Sequence, residues 1–120
     1  MTQRVYHLIL AMIFAVPAQA AELVMIDQEG CHYCEVWTEE IGPIYPKTAE
    51  GQFAPLRRVD IHDIPEELKL ESHPAFTPTF ILVEENQELA RIEGYPGDLF
   101  FWPMISRMFE EHTDYSNPDL

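Results

Sequence analysis

Short apolar runs alternate along this chain with stretches whose apolar residues recur at helical spacing. Four of the runs predict β-strands, because each is short and is bounded by charged or turn-forming residues. They are residues 22–27, 54–61, 79–83 and 89–92. The last two flank a polar turn at 85–88 and therefore predict a β-hairpin.

Three further stretches predict amphipathic helices. They are residues 31–42, 64–73 and 98–112. Pro65 suits the first turn of the second helix. Asp98 is a candidate N-cap for the third helix, but Pro103 would then remove a backbone donor just inside it. That helix is therefore predicted to begin near Phe101 or to bend at the proline.

The predicted elements follow the order strand, helix, strand, helix, strand, strand, helix. Two strands joined through a helix are expected to be parallel with a right-handed crossover, whereas hairpin strands are antiparallel. The order therefore predicts an α/β fold with a four-stranded mixed sheet and helices on both faces.

The first twenty residues have the composition of an export signal. Arg4 precedes an apolar run of twelve residues, 5–16, and the segment ends in Ala18-Gln19-Ala20. A membrane-spanning helix needs about 18 apolar residues, so this run predicts a secretory signal peptide cleaved after Ala20. We expect a single domain at 21–112, a flexible tail at 113–120 and a periplasmic location.

The charge of the mature chain excludes one class of partner. After cleavage the chain would carry six basic and 21 acidic side chains, a formal charge of −15. A surface of this charge cannot neutralise phosphates, so nucleic acid is not an expected partner.

Both cysteines lie in the stretch EGCHYCEVW, as Cys31 and Cys34. A bridge between them would close a very small loop and would stabilise the fold little. Zinc would need two more ligands, and no second C-x-x-C or H-x-x-x-H spacing provides them. The remaining interpretation is a redox pair, in which Cys31 at a helix N-terminus is favoured as a thiolate and Cys34, one turn deeper, is shielded.

C-H-Y-C between a strand and a helix, together with FTPTFILV downstream, resembles the thioredoxin superfamily over residues 23–112. The resemblance implies a minimal, glutaredoxin-sized thioredoxin-like fold. The stretches CHYCEVWTEEIGPIYPKTAEGQFAPLRRVDI and EGYPGDLFFW more narrowly resemble the small periplasmic SoxS-type thioredoxins of bacterial thiosulfate-oxidation (Sox) systems. In one respect the chain departs from thioredoxin: Met25 stands where the superfamily has a buried aspartate, six residues before the first cysteine. Asp27 and Glu29 are the nearest carboxylates.

The resemblance also implies roles for individual residues. Cys31 would attack a substrate sulfur and Cys34 would resolve the mixed disulfide, with no cofactor other than this cysteine pair. His32 and Tyr33 would tune the pair. On the substrate side, the resemblance implies a cis-proline at Pro78 after Thr77, and a hairpin glycine, Gly94.

The function implied is a monomeric thiol:disulfide oxidoreductase that reduces mixed disulfides or thiol adducts on a partner such as the sulfur carrier SoxY. A membrane thiol transporter would supply its electrons. Two alternatives remain open from the residues. One is a periplasmic disulfide oxidase or isomerase, favoured by His32, Tyr33 and the Thr77-Pro78 pair. The other is a non-catalytic thioredoxin-fold module that docks through aromatic residues of the last helix region, namely Tyr95, Phe100, Phe101 and Trp102.

Overall fold

The computed structural model describes residues 11–14 and 21–119. The predicted signal peptide, residues 1–20, lies outside the described residues except for 11–14. Within the described ranges, no helix combines the length and apolar character needed to cross a bilayer.

Four strands form one mixed sheet in the order β2-β1-β3-β4. Their bounds are β1 Ala21–Asp27, β2 Leu56–Asp60, β3 Thr79–Glu84 and β4 Gln87–Glu93. β1 pairs parallel with β2 and antiparallel with β3, and β3 pairs antiparallel with β4. The predicted four-stranded mixed sheet is therefore confirmed.

The hairpin turn is shorter than predicted. Glu85 and Asn86 alone connect β3 to β4, with φ angles of 50° and 63°. A two-residue turn with positive φ at both positions matches the right-handed twist of the strands, and asparagine tolerates this conformation.

Three α-helices pack on one face of the sheet. They are α1 His32–Glu40, α2 Ala49–Phe53 and α3 Asp98–His112. The core on this face is aromatic, because Trp37 of α1 and Phe101 of α3 both contact Phe80 of β3, with ring centroids 5.3 and 5.2 Å away. α1 begins one residue after Cys31, close to the predicted start.

The segment between α1 and β2 contains structure that the sequence did not predict. A 3-10 helix, Tyr45–Lys47, precedes α2. Thr48 caps α2, because its Oγ1 accepts a hydrogen bond of 3.0 Å from the Gly51 N–H. α1 ends at Glu40, shortly before Pro43, and the short helices that follow depend on this cap and on the burial of Tyr45.

The helix predicted at 64–73 is absent, so helices do not cover both faces of the sheet. Lys69 instead pairs with the hairpin: its N–H donates to Asn86 O at 2.7 Å, and its carbonyl accepts from Glu88 N at 3.0 Å. This pairing takes backbone groups that a helix would need for itself. The irregular segment nevertheless covers the second face, with Leu68 buried and Ile64 packed against the same cluster.

α3 runs from Asp98 without an interruption at Pro103. Gly97 rather than Asp98 is the N-cap, and it has a φ of 98°. Beyond α3, Tyr115 is buried against Phe53 and Phe109, with ring centroids 5.0 and 5.6 Å away. Packing therefore continues past residue 112, where the sequence places the end of the domain.

Candidate active site

The two cysteines form a disulfide at the N-terminus of α1, with their Cα atoms 5.2 Å apart. Cys31 is the N-cap of the helix, and its Sγ accepts a hydrogen bond of 3.2 Å from the Cys34 N–H. Gly30, with a φ of 77°, makes the turn from β1 into the helix. One backbone donor of the first helical turn, the Cys34 N–H, therefore points towards the sulfur of Cys31.

The two cysteine residues differ in their exposure to solvent. Cys31 is 9% exposed and Cys34 is 2% exposed. A sulfur atom of a partner protein can therefore approach Cys31 more easily than Cys34. This asymmetry is the one that the helical spacing predicts.

His32 and Tyr33 lie between the cysteines and both point outwards. Tyr33 is 60% exposed, and its ring packs edge-on against His32 with centroids 5.3 Å apart. Neither residue is part of the core.

A second loop is tied to the disulfide region. The Thr77–Pro78 peptide bond is cis. Thr77 Oγ1 accepts a hydrogen bond of 2.8 Å from Gln28 Nε2, and the Gln28 carbonyl in turn accepts the N–H of Cys31 at 3.3 Å. Gln28 therefore links the loop before Pro78 to the turn that carries Cys31.

Gly94 is connected to the same loop. Its N–H donates to the Pro78 carbonyl at 2.7 Å, and its φ is 83°. An added Cβ at this position would meet no atom within 4 Å. The structure thus brings Thr77, Pro78 and Gly94 together, and Gln28 connects them to Cys31.

Cys34 belongs to the buried cluster that also contains Met25, Trp37 and Phe80. It also lines a cleft of about 520 Å³ between the ends of β1 and β2 and α1. Asp27 and Arg58 form an ion pair there, with 3.1 Å between Oδ2 and Nη1.

Arg58 is a site residue that the sequence analysis missed. Its Nη2 donates to Thr38 Oγ1 at 3.1 Å, and that hydroxyl donates to the Cys34 carbonyl at 2.7 Å. Its Cζ also lies 5.5 Å from the centre of the Trp37 ring. The parallel register of β1 and β2 places Arg58 opposite Met25, and this register is the signal that could have found it.

The four aromatic residues considered as a docking surface differ in their exposure to solvent. Tyr95 and Phe101 are buried in the core, Trp102 is half-buried and Phe100 is exposed. The Tyr95 hydroxyl donates to Glu40 Oε2 at 2.5 Å. Burial, with this bond, raises the pKa of Tyr95 above its usual value. These contacts give most of the group a role in packing.

Residues 11–14 and 21–119 contain no group of three or more histidine, cysteine, aspartate or glutamate side chains arranged to hold a metal ion.

The mixed sheet, the C-x-x-C disulfide at a helix start and the adjoining proline loop define a thiol:disulfide oxidoreductase of the thioredoxin class. Among solved structures, the periplasmic thioredoxin SoxS of Paracoccus pantotrophus, in its reduced form, is 46% identical. The match covers 76% of this chain and 97% of the SoxS chain, with a TM-score of 0.74. The protein therefore belongs to the thioredoxin superfamily and, within it, to the family of the SoxS thioredoxins.

More distant structures support the same fold. The thioredoxin of Fasciola hepatica is 19% identical, with a TM-score of 0.56 and coverage of 75% of this chain and 82% of its own. The thioredoxin of Malassezia sympodialis is 18% identical, with a TM-score of 0.54 and coverage of 75% and 78%. The predicted thioredoxin-like fold is thereby confirmed. No family model and no curated protein matches the chain.

Proposed function

We propose that this protein is a periplasmic reductase of mixed disulfides or thiol adducts on a partner protein. The observation that carries the proposal is the Cys31–Cys34 disulfide, with the more exposed cysteine at the N-terminus of α1. Support for the compartment comes from the similarity to a thioredoxin that is itself described as periplasmic. The predicted signal peptide at residues 1–20 agrees with that location.

The reaction begins with the dithiol form. The Cys31 thiolate attacks a sulfur of the partner's disulfide, the partner's S–S bond breaks, and the leaving sulfur takes up a proton. Cys34 then loses its proton and attacks Cys31 Sγ. The bond to the partner breaks, the partner's thiolate is released and protonated, and the Cys31–Cys34 disulfide remains. The partner has gained two electrons and the protein has lost two.

The residues around the pair have supporting roles in this proposal. Thr77, Pro78 and Gly94 receive an extended segment of the partner next to Cys31. Exposed Tyr33 contacts the same segment. A positive charge on His32 would favour the Cys31 thiolate, because a cation close to the sulfur stabilises its negative charge.

The partner we propose is a protein that carries a functional thiol, such as SoxY of a Sox system, which supports or regulates thiosulfate oxidation. Electrons return to the Cys31–Cys34 pair by exchange with the dithiol of a membrane thiol transporter. No cofactor takes part, since both half-reactions are thiol–disulfide exchanges.

Trapping with a cysteine variant tests this function. Cys34→Ser in the mature protein should accumulate a mixed disulfide between Cys31 and the partner, and dithiothreitol should release it. Cys31→Ser is the matched control and should trap nothing. Equal trapping by both variants, or by neither, would contradict the assigned roles.

The reduction potential tests the direction of electron flow. A value around −200 mV or lower supports a reductant, and a value near about −120 mV supports an oxidant. In cells that oxidise thiosulfate, loss of Cys31 should leave the carrier thiol blocked as an adduct. A carrier thiol that stays free in the Cys31→Ser strain would reject this partner.

A further inference from the structure

The loop between β4 and α3, residues 94–97, is fixed to the proline loop at its first residue. The Gly94 N–H donates to the Pro78 carbonyl at 2.7 Å. The sheet register explains why the two loops meet, because Thr79 at the start of β3 lies opposite Glu93 at the end of β4. Whatever fixes the position of residues 94–97 therefore also helps to keep Gly94 against Pro78.

Tyr95, the next residue of this loop, is bonded to α1. Its hydroxyl donates to Glu40 Oε2 at 2.5 Å, across 55 residues of sequence. Tyr95 is buried, and its ring packs edge-on against Phe101 with centroids 6.0 Å apart. Burial, together with the hydrogen bond to Glu40, raises the pKa of the hydroxyl, so it remains a donor at neutral pH. The bond thus connects the residue after Gly94 to the last residue of α1.

Glu40 stands at a position that is unfavourable for a carboxylate on local grounds. α1 ends in Glu39 and Glu40, and no basic residue lies in its last turn. The C-terminus of a helix carries a partial negative charge, which disfavours acidic side chains there. The contribution of Glu40 to the fold is therefore its bond to Tyr95 and not an effect on helix stability.

The contacts around the disulfide form a continuous ring. They connect, in order, Cys31, Gln28, Thr77, Pro78, Gly94, Tyr95 and Glu40. α1 closes the ring, because Cys31 is its N-cap and Glu40 is its last residue. The proline loop is therefore fixed relative to Cys31 from two sides, once through Gln28 and once through Tyr95.

We propose that Glu40 and Tyr95 are positioning residues that hold Gly94 against Pro78 and so shape the surface that receives the partner segment next to Cys31. This inference rests on the proposed function, which assigns Pro78 and Gly94 to partner binding. The pair acts through Gly94 and not on the sulfur atoms. Its effect therefore falls on binding of the partner backbone, and the thiol–disulfide exchange itself is unchanged.

Two probes separate binding of a partner backbone from reaction at Cys31. The first is a short unstructured peptide whose single cysteine is joined through a disulfide to thionitrobenzoate. The second, 5,5′-dithiobis(2-nitrobenzoate), has no peptide backbone. With both probes the Cys31 thiolate of the reduced mature protein attacks one sulfur, the probe S–S bond breaks, and thionitrobenzoate leaves as a coloured thiolate. Stopped-flow measurement over a range of probe concentrations gives a half-saturating concentration and a limiting rate.

Tyr95→Phe and Glu40→Ala should each raise the half-saturating concentration of the peptide about five-fold, as expected for the loss of one hydrogen bond. The limiting rate and the reaction with the aromatic disulfide should be unchanged. The double variant should lose no more than either single one, since both delete the same bond. Glu40→Gln keeps an acceptor of the same length and should behave as the wild type. Glu39→Ala, which removes the neighbouring exposed carboxylate, is the matched control.

Hydrogen exchange at the Gly94 amide, measured by NMR, gives a second readout that needs no thiol chemistry. Exchange should be about five-fold faster in Tyr95→Phe and Glu40→Ala than in the wild type. The inference fails if both variants keep the wild-type exchange rate and half-saturating concentration, or if Glu39→Ala changes them as far. A wild-type protein that reacts with neither probe would instead contradict the proposed function, and the Gly94 exchange rate would still decide this inference. Should Tyr95→Phe not fold, Glu40→Ala, at an exposed position, provides the same test.

Discussion

Gln28 and Thr77, 49 residues apart in the chain, are joined by a side-chain hydrogen bond of 2.8 Å. This bond connects the turn before the disulfide to the loop that contains Pro78. In the proposed function, these two segments together receive the partner backbone when its sulfur reaches Cys31. The bond is therefore a point at which substrate binding can be changed without altering either cysteine.

We expect Gln28→Ala and Thr77→Val each to lower the free energy of unfolding by about 1 kcal/mol, the typical net value of one hydrogen bond. The rate of partner reduction should fall by up to about five-fold, the factor that corresponds to this energy. The double variant should lose no more than either single one, since both delete the same bond. Urea denaturation and a protein-disulfide reduction assay measure the two effects.

Gln87→Ala is the control for this pair, because Gln87 is exposed at the hairpin, where its side chain makes a contact of 3.5 Å with Lys69 O. Additive losses in the double variant would show that Gln28 and Thr77 act independently.

His32 should make the disulfide more oxidising. A cation at a helix N-terminus beside Cys31 stabilises the thiolate, and therefore the reduced form. His32→Ala should lower the reduction potential by roughly 10–20 mV, which corresponds to less than about 1 kcal/mol for this two-electron couple. His62→Ala, at an exposed position in the loop after β2, should leave the potential unchanged.

The local parts of the fold could be predicted from sequence. β1, α1 with Cys31 at its start, the hairpin and α3 all follow from short-range apolar spacing. The helix predicted at 64–73 was wrong, because Lys69 forms backbone pairs with Asn86 and Glu88, a tertiary preference that no local pattern contains.

The candidate site, too, was predictable only where its residues lie close together in the sequence. The C-H-Y-C pair and the Thr77–Pro78 loop are contiguous motifs, so sequence reasoning found them. Arg58 meets Asp27 across 31 residues, and Gln28 meets Thr77 across 49. Both contacts depend on the register of the sheet and on the path of the loops, which single-sequence patterns do not provide.

Gly94 offers a test of substrate binding at the proline loop. Gly94→Ala places a methyl group in open space at a φ of 83°, so its direct cost is backbone strain of about 1–2 kcal/mol. If a partner segment passes over this position, reduction of a protein disulfide should fall by more than ten-fold, while reduction of a small aromatic disulfide changes little. Gly97→Ala, also at positive φ in open space, is the control for strain. Equal losses in both variants would remove Gly94 from the binding surface.

Arg91 and Glu88 form an ion pair of 2.6 Å whose side chains are only 15% and 2% exposed. Glu88 also accepts the N–H of Glu71, and Arg91 donates to the Ser72 carbonyl, so the pair holds the irregular segment on the sheet. Arg91→Ala leaves a buried carboxylate without its cation and should destabilise the protein by about 3 kcal/mol in urea denaturation.

Arg107→Ala is the matched control, because Arg107 also pairs with a glutamate at 2.6 Å but both side chains are exposed. This variant should have nearly wild-type stability, since exposed ion pairs contribute little. A similar loss in both variants would contradict the importance of burial.

Tyr115 should make the fold sensitive to alkali. Burial, with a contribution from Glu50, raises the pKa of its hydroxyl to about 12, whereas an unfolded tyrosine has a pKa of about 10. Between these values the folded state keeps a proton that the unfolded state has lost. The contribution of Tyr115 is therefore complete below about pH 10 and decreases as the pH rises towards 12. Tyr115→Phe should flatten this decline in urea denaturation series at increasing pH, whereas Tyr33→Phe, at an exposed position, serves as the control. An unchanged slope in Tyr115→Phe would mean that other groups cause the alkaline loss.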